Sequence, residues 1–278
     1  MKKYAYSLLS TGRRKDSIYI FSNCQGIMLA WLFFQSSLAD KYDILLLEPN
    51  FVVQQWLETQ QLMYLKQIRH MIEANSGYLN LLISTPIIQS STLNAESLAN
   101  TIHPSDILTF PYLVNTASFP LYETRKGWLG LDGITSADDI SMVAKGDWFF
   151  NLKQRYLSSL QMLQDREAAC DIKLSSFIDS NIHHMRLFYS HNHPSLLLGT
   201  VLFQEILKVL DLPLQMCPVK KADSDNHYID TTSYITRLQT GLSPYVFKEL
   251  GWQWSCHVDN WWDQDARHLL SQIILPRS

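Results

Sequence analysis

Cysteine is scarce: the 278 residues hold four, Cys24, Cys170, Cys217 and Cys256, far apart and without a C-x-x-C pair. That spacing excludes a zinc framework or a disulfide-rich scaffold, and no set of ligands at metal-binding spacing stands out. Reduced thiols in a cytoplasmic protein are the simplest account. Charge is also sparse, at 18% of residues with a net value of −3 and no long basic run. This argues against a general nucleic-acid binder, while leaving room for a local phosphate site. Near the start, the apolar stretch from Tyr4 to Leu9 is too short for the core of a signal peptide. The longer stretch from Ile18 to Phe34 carries Ser22, Asn23, Gln25 and Gly26 at its centre, which would be costly in hydrocarbon, so no membrane span is expected. Internal repeats and low-complexity segments are missing as well.

What is present is an apolar chain, 46% hydrophobic, long enough for one large α/β domain. Ser17–Phe21, Tyr42–Leu47, Tyr78–Ile83 and Asp106–Phe110 read as buried strands. Helical patterns follow them, over about 27–34, 51–74 and 94–101. Strands that alternate with helices and run as continuous apolar stretches predict a mostly parallel sheet covered on both faces. Residues from about 112 to 146, with Pro120, Gly127, Gly130 and Gly133, read as an irregular loop or insertion. A helical part follows from about 147 to 278, with helices near 147–169, 174–181, 195–210, 244–250 and 259–274. One short strand is expected at Leu187–Tyr189. A single α/β domain over residues 1–278 is the expected organisation.

Two polar clusters interrupt the apolar pattern. The first, Ser22-Asn23-Cys24-Gln25-Gly26, joins the first strand to the first helix. A turn of this kind sits at the carboxyl edge of a sheet, where open α/β folds bind ligands. Cys24 falls at the helix N-terminus, whose unpaired N–H groups and dipole favour a thiolate and can hold a developing oxyanion. The competing readings are a cysteine packed as a small hydrophobe, and Asn23 and Gln25 serving only as helix caps.

The second cluster is Ser190-His191-Asn192-His193-Pro194, again after a strand and before a helix. If extended, it puts His191 and His193 on one side, where either could act as a general base for Cys24 or for a substrate hydroxyl. His193 could equally cap the following helix, and His191 could simply face solvent. Gln89 and Asn115, which follow the third and fourth strands, are further oxyanion or substrate-binding candidates, with loop capping as the plainer alternative. For Arg166-Glu167, an internal ion pair is the plain expectation.

Taken together, these pieces resemble the WcbI family, acetyltransferases of polysaccharide biosynthesis. The matching residues are Ser22-Asn23-Cys24-Gln25-Gly26, Arg166-Glu167 with Cys170-Asp171-Ile172, Arg186-Leu187-Phe188, and Asn192-His193-Pro194. The resemblance runs from about Ser17 to Leu250. It implies a three-layer fold similar to SGNH hydrolases, and a CoA-dependent O-acetyltransferase acting on a sugar hydroxyl of capsule or another surface polysaccharide. Acetyl-CoA is the implied donor and a sugar or glycan the implied acceptor. By the resemblance, Cys24 stands for the SGNH serine nucleophile and His193 for the catalytic histidine. Asn23, Gln25, Gln89, Asn115 and Asn192 are then oxyanion or substrate-binding candidates, with Ser190, His191 and Arg166 secondary. The aspartate that SGNH enzymes carry three residues before the histidine falls at Ser190. An SGNH-type esterase or thioesterase, or a non-catalytic CoA- or glycan-binding protein, are the alternatives, and whether the chain forms a homo-oligomer is left open.

Overall fold

A computed structural model describes residues 6–8, 16–53, 55–74, 80–85, 95–104, 106–117, 152–212 and 249–253. Gln89, the segment 118–151, the polar loop near 220–232 and the expected helix at 259–274 lie outside these residues. By packing, the chain groups into two units interleaved along the sequence. The first takes Met1–Tyr112, Arg166–Leu174 and Leu196–Tyr234; the second takes Leu113–Asp165, Ser175–Ser195 and Ile235–Ser278.

The first unit is built on a five-stranded sheet. Its strands are β1 (Tyr6–Leu8), β2 (Asp16–Phe21), β3 (Tyr42–Leu47), β4 (Asn80–Ser84) and β5 (Asp106–Thr109), in the spatial order β1-β3-β2-β4-β5. β3, β2, β4 and β5 run parallel, with Ile18 level with Ile44 on one side and Leu81 on the other. β1 adds antiparallel at the β3 edge, Tyr6 opposite Leu47. The four expected strands are thus found; β1 falls in the stretch weighed only as a leader.

Alternation of side chains explains the layers. Tyr19, Phe21, Leu45, Leu47 and Leu82 point to one face and pack with Val53, Tyr64, Ile68, Leu98 and Ile102. The last four of these lie on α3 (Glu58–Ala74) and α4 (Ala95–Ile102). Ile20 and Leu46 point to the other face, where α1 (Cys24–Gln35) approaches. There Phe33 of α1 meets Phe203 of α7 edge to face, ring centres 4.9 Å apart; α7 spans Leu196–Val209. Helices on both faces of a parallel sheet give the three layers expected; the central strands are buried on both faces at Ile18–Phe21 and Leu81–Ser84, whereas Asp106 and Ile107 of the edge strand β5 are exposed.

One helix differs from its expected bounds. The pattern over 51–74 is split into α2 (Asn50–Val53) and α3. The buried Gln61 amide donates to the carbonyls of Val53 (3.2 Å) and Trp56 (3.1 Å), and Gln60 Oε1 accepts from Leu57 N–H at 3.0 Å. Those side chains take up backbone groups that a continuous helix would have paired, so the break costs little.

In the second unit, α5 (Leu152–Glu167, whose last two residues belong to the first unit) and α6 (Ser175–Asn181) are joined by Tyr156, whose hydroxyl donates to Asp179 at 2.7 Å. A short hairpin pairs β6 (Phe188–Ser190) with β7 (His193–Pro194). No helix among the described residues is long and apolar enough to cross a membrane.

Candidate active site

The order β3-β2-β4 fixes where ligands enter the first unit. From β2 the chain crosses by α1 to β3 on one side; from β3 it crosses by α3 to β4 on the other. Strand order reverses between β2 and β4, and the crevice at their carboxyl ends is the place where open sheets of this type bind ligands. Only Ser22 and Asn23 separate the end of β2 from Cys24, the first residue of α1.

Asn23 is the helix N-cap. Its backbone is extended (φ −78°, ψ −156°), and its Oδ1 accepts the Gln25 N–H at 2.8 Å. Its carbonyl accepts the Gly26 N–H at 3.0 Å. The capping reading therefore holds for Asn23. Of the N–H groups at this helix start, that of Gln25 is therefore engaged in the cap. The Gln25 side chain is buried, and Cys24 is half-buried.

The turn is anchored from both flanking strands. Asn50 N–H donates to Ser22 O at 3.0 Å, and Thr85 N–H donates to Phe21 O at 3.3 Å. The Thr85 hydroxyl donates to Ser22 Oγ at 3.4 Å, and Ser22 Oγ donates to Asn23 Oδ1 at 3.4 Å. Gly26 lets the helix come this close: a Cβ there would lie 2.9 Å from Ser22 Cβ and 3.4 Å from Ile20 Cγ2.

Further along the same edge, Asp171 Oδ2 accepts from both N–H and Oγ1 of Thr109, each at 2.7 Å. Arg166 donates through Nη1 to Tyr112 O at 3.1 Å, with its guanidinium carbon 5.2 Å from the centre of the Tyr112 ring. Burial holds the Arg166 pKa below its usual value. Glu167 accepts the Leu174 N–H. Cys170 is buried, its Sγ 3.3 Å from Arg166 O; burial first, then Glu167 and Asp171, push its thiol up to about 11.

The second unit carries the histidine cluster, and here an expectation fails. Residues 190–193 are not one continuous strand: Ser190 ends β6 and His193 opens β7. Ser190 pairs with His193 across a two-residue turn made of His191 and Asn192, so the histidines do not share one face of a strand. His193 does not cap α7 either, since Ser195 precedes its first residue. Ser195 N–H closes the hairpin base on Leu187 O at 2.8 Å, and Asn115 N–H donates to His191 O at 2.7 Å. Asn115 is thus brought to the histidine turn. Burial pushes His193 down to about 4, and burial together with the neighbouring His193 does the same to His191. Both imidazoles are neutral at pH 7.

The structure thus gathers Cys24, Asn23 and Gln25 in the first unit and Asn115, Ser190, His191, Asn192 and His193 in the second, with Arg166 in the first. Sequence reasoning gives no role to Thr85 or Ser22. The available signal was a small hydroxyl residue at the carboxyl end of each strand flanking the reversal.

The model of the WcbI polysaccharide biosynthesis enzyme family matches residues 17–215. The chain belongs to the WcbI family. Members are described as polysaccharide biosynthesis enzymes, and this chain is accordingly an enzyme of that kind. The matched span holds Cys24, Thr85, Arg166 and the whole histidine hairpin. A solved structure of WcbI is described as a novel polysaccharide biosynthesis enzyme, in its native form without a disulfide bond between coenzyme A and a cysteine. It superposes with a TM-score of 0.55 over 95% of this chain and 100% of that one, at 14% identity. At that identity the likeness carries the α/β fold. Comparison with curated proteins finds no match.

Proposed function

We propose that this WcbI-family enzyme transfers an acetyl group from acetyl-CoA to a sugar hydroxyl in the synthesis of capsule or another surface polysaccharide. The observation that carries the reading is Cys24: a half-buried thiol on the first residue of a capped helix, at the strand-order reversal. Coenzyme A is named with a cysteine of the WcbI of known structure. Of the two described cysteines here, Cys170 is buried and held protonated, so Cys24 is the one fitted to thiol and thioester chemistry. A cytoplasmic setting, where thiols stay reduced, suits both.

In the proposed reaction Cys24 gives its proton to neutral His193 and its sulfur attacks the thioester carbonyl; the C–S bond to CoA breaks, and CoA leaves as its thiol with the proton returned by His193. The sugar hydroxyl then attacks the S-acetyl carbonyl and gives its proton to His193; the bond from the acetyl group to Cys24 breaks, and His193 returns the proton to the Cys24 sulfur. In the direct alternative, His193 deprotonates the sugar hydroxyl for attack on the thioester, with the Cys24 and Gln25 N–H groups holding the oxyanion; of those two donors the Gln25 N–H is already engaged by Asn23. Asn23 Nδ2 takes that part instead: Oδ1 faces the helix, and among the described residues no other group holds the NH2.

Wild type, Cys24→Ala and His193→Ala would be incubated with acetyl-CoA and nucleotide-activated sugars. Acetyl sugar should form only with wild type, with a loss of about 10²-fold or more in each variant. Mass spectrometry of wild type without acceptor should find acetyl on the Cys24 peptide. Acetate released without any sugar would identify a hydrolase instead, and unchanged turnover in both variants would remove the mechanism.

A further inference from the structure

Beyond the cysteine and histidine, we infer that Thr85 and Ser22 are positioning residues that set the amide of Asn23. The observation is a directed chain of hydrogen bonds from the neighbouring strand into the helix cap. Thr85 Oγ1 donates to Ser22 Oγ, Ser22 Oγ donates to Asn23 Oδ1, and Asn23 Oδ1 also accepts the Gln25 N–H. Ser22 and Thr85 are 1% and 2% exposed. Buried hydroxyls of this kind must find partners, and water is kept from replacing them.

The direction of the chain decides the orientation. An amide side chain is nearly symmetric in shape, so its two flip states are separated only by the groups that face them. Here two donors, Ser22 O–H and Gln25 N–H, converge on one position, which must be the oxygen. Thr85 fixes the sense of the first of them: by donating to Ser22 Oγ, it leaves the Ser22 proton for Asn23. The Asn23 NH2 is then turned away from the helix N–H groups. Without the Thr85 hydroxyl, Ser22 can turn its proton elsewhere and the cap loses one of its two donors. Both hydroxyl contacts are long, at 3.4 Å, so it is their convergence with the 2.8 Å Gln25 N–H bond on one atom that sets the amide.

This inference rests on the proposed role of Asn23 in acyl transfer, but its structural half can be tested apart from activity. Thr85→Val removes the hydroxyl and keeps the shape; Thr85→Ser restores the hydroxyl. Amide hydrogen exchange of the full chain would be followed at Gln25 and at the interior amides of α1. In Thr85→Val, Gln25 exchange should quicken about fivefold or more while the interior α1 amides stay within twofold, and Thr85→Ser should restore it. Acetyl transfer in Thr85→Val should lose about tenfold in kcat, with KM for acetyl-CoA within twofold, and recover in Thr85→Ser. Unchanged Gln25 exchange in Thr85→Val would overturn the inference, as would equal acceleration of every α1 amide, which marks plain destabilisation. If wild type transfers no acetyl group, the proposed function fails, and the exchange result alone decides whether Thr85 sets the cap.

Discussion

At the scale of single residues, the two described cysteines and the histidine pair show how surroundings sort like groups into different roles. Cys170 is buried beside two carboxylates with its thiol raised to about 11, so at pH 8 only about a thousandth of it is thiolate. Cys24 is half-buried at a helix start. Brief treatment of the native protein with iodoacetamide, read by peptide mass mapping, should therefore label Cys24 at least tenfold faster than Cys170. Comparable labelling would mean that Cys24 is sealed or Cys170 open. His193 makes a sharper test, because its direction of shift runs against ordinary histidine behaviour. A base works only unprotonated, and His193 stays neutral until the pH nears 4. The acid limb of kcat/KM for acetyl transfer should accordingly lie well below the usual imidazole value, with little loss between pH 7 and pH 5.5. Because kcat/KM reports the free enzyme, a limb centred near 6.5 would assign the base elsewhere.

Among elements, α1 is the one whose placement carries chemistry, and glycine is what permits it. A Cβ at Gly26 would meet the Cβ of Ser22 at 2.9 Å, and neither atom can retreat without moving backbone. Gly26→Ala should cost about 1–3 kcal/mol in urea denaturation, despite the better helix propensity of alanine, and should displace the Cys24 turn. Gly199 in α7 is the control. There the new Cβ would fall 2.4 Å from Met28 Sδ, but methionine is unbranched and can turn its end away. Gly199→Ala should therefore cost under about 1 kcal/mol, since the gain in helix propensity offsets the repacking. Equal losses in the two variants would refute the close-approach account of Gly26. The same contrast explains what could be read from sequence. β2, β3 and α1 were legible because continuous apolar runs and an Asn cap are local signals. The break between α2 and α3 was not, because it depends on Gln61 reaching two carbonyls that periodicity does not encode. The hairpin at 188–194 was read as an extended strand edge; nothing in His191-Asn192 announces a two-residue turn as Asn-Gly would.

For the molecule as a whole, the legible part of the candidate site is its location and the illegible part is its wiring. Four apolar runs with helices between them were enough to expect a parallel sheet with Cys24 at its carboxyl edge. The order β3-β2-β4-β5 was not, and that order is what brings Thr85 beside Ser22 across 63 positions of sequence. Global stability carries one more consequence of burial. His191 and His193 both titrate near 4 in the folded protein and near 6.5 when exposed. Between those values the unfolded chain binds protons that the folded chain refuses, so stability must fall as pH drops through that interval. Above about 6.5 both states are neutral and the two histidines add no slope; below about 4 both states are charged and the slope ends. The urea midpoint should therefore be lower at pH 5 than at pH 7. A His191→Gln/His193→Gln double variant should show a smaller difference between the two pH values, because neither glutamine titrates. If the variant keeps the full difference, other groups govern the acid side of the stability curve, and the neutral, desolvated imidazole assigned to His193 loses its physical basis.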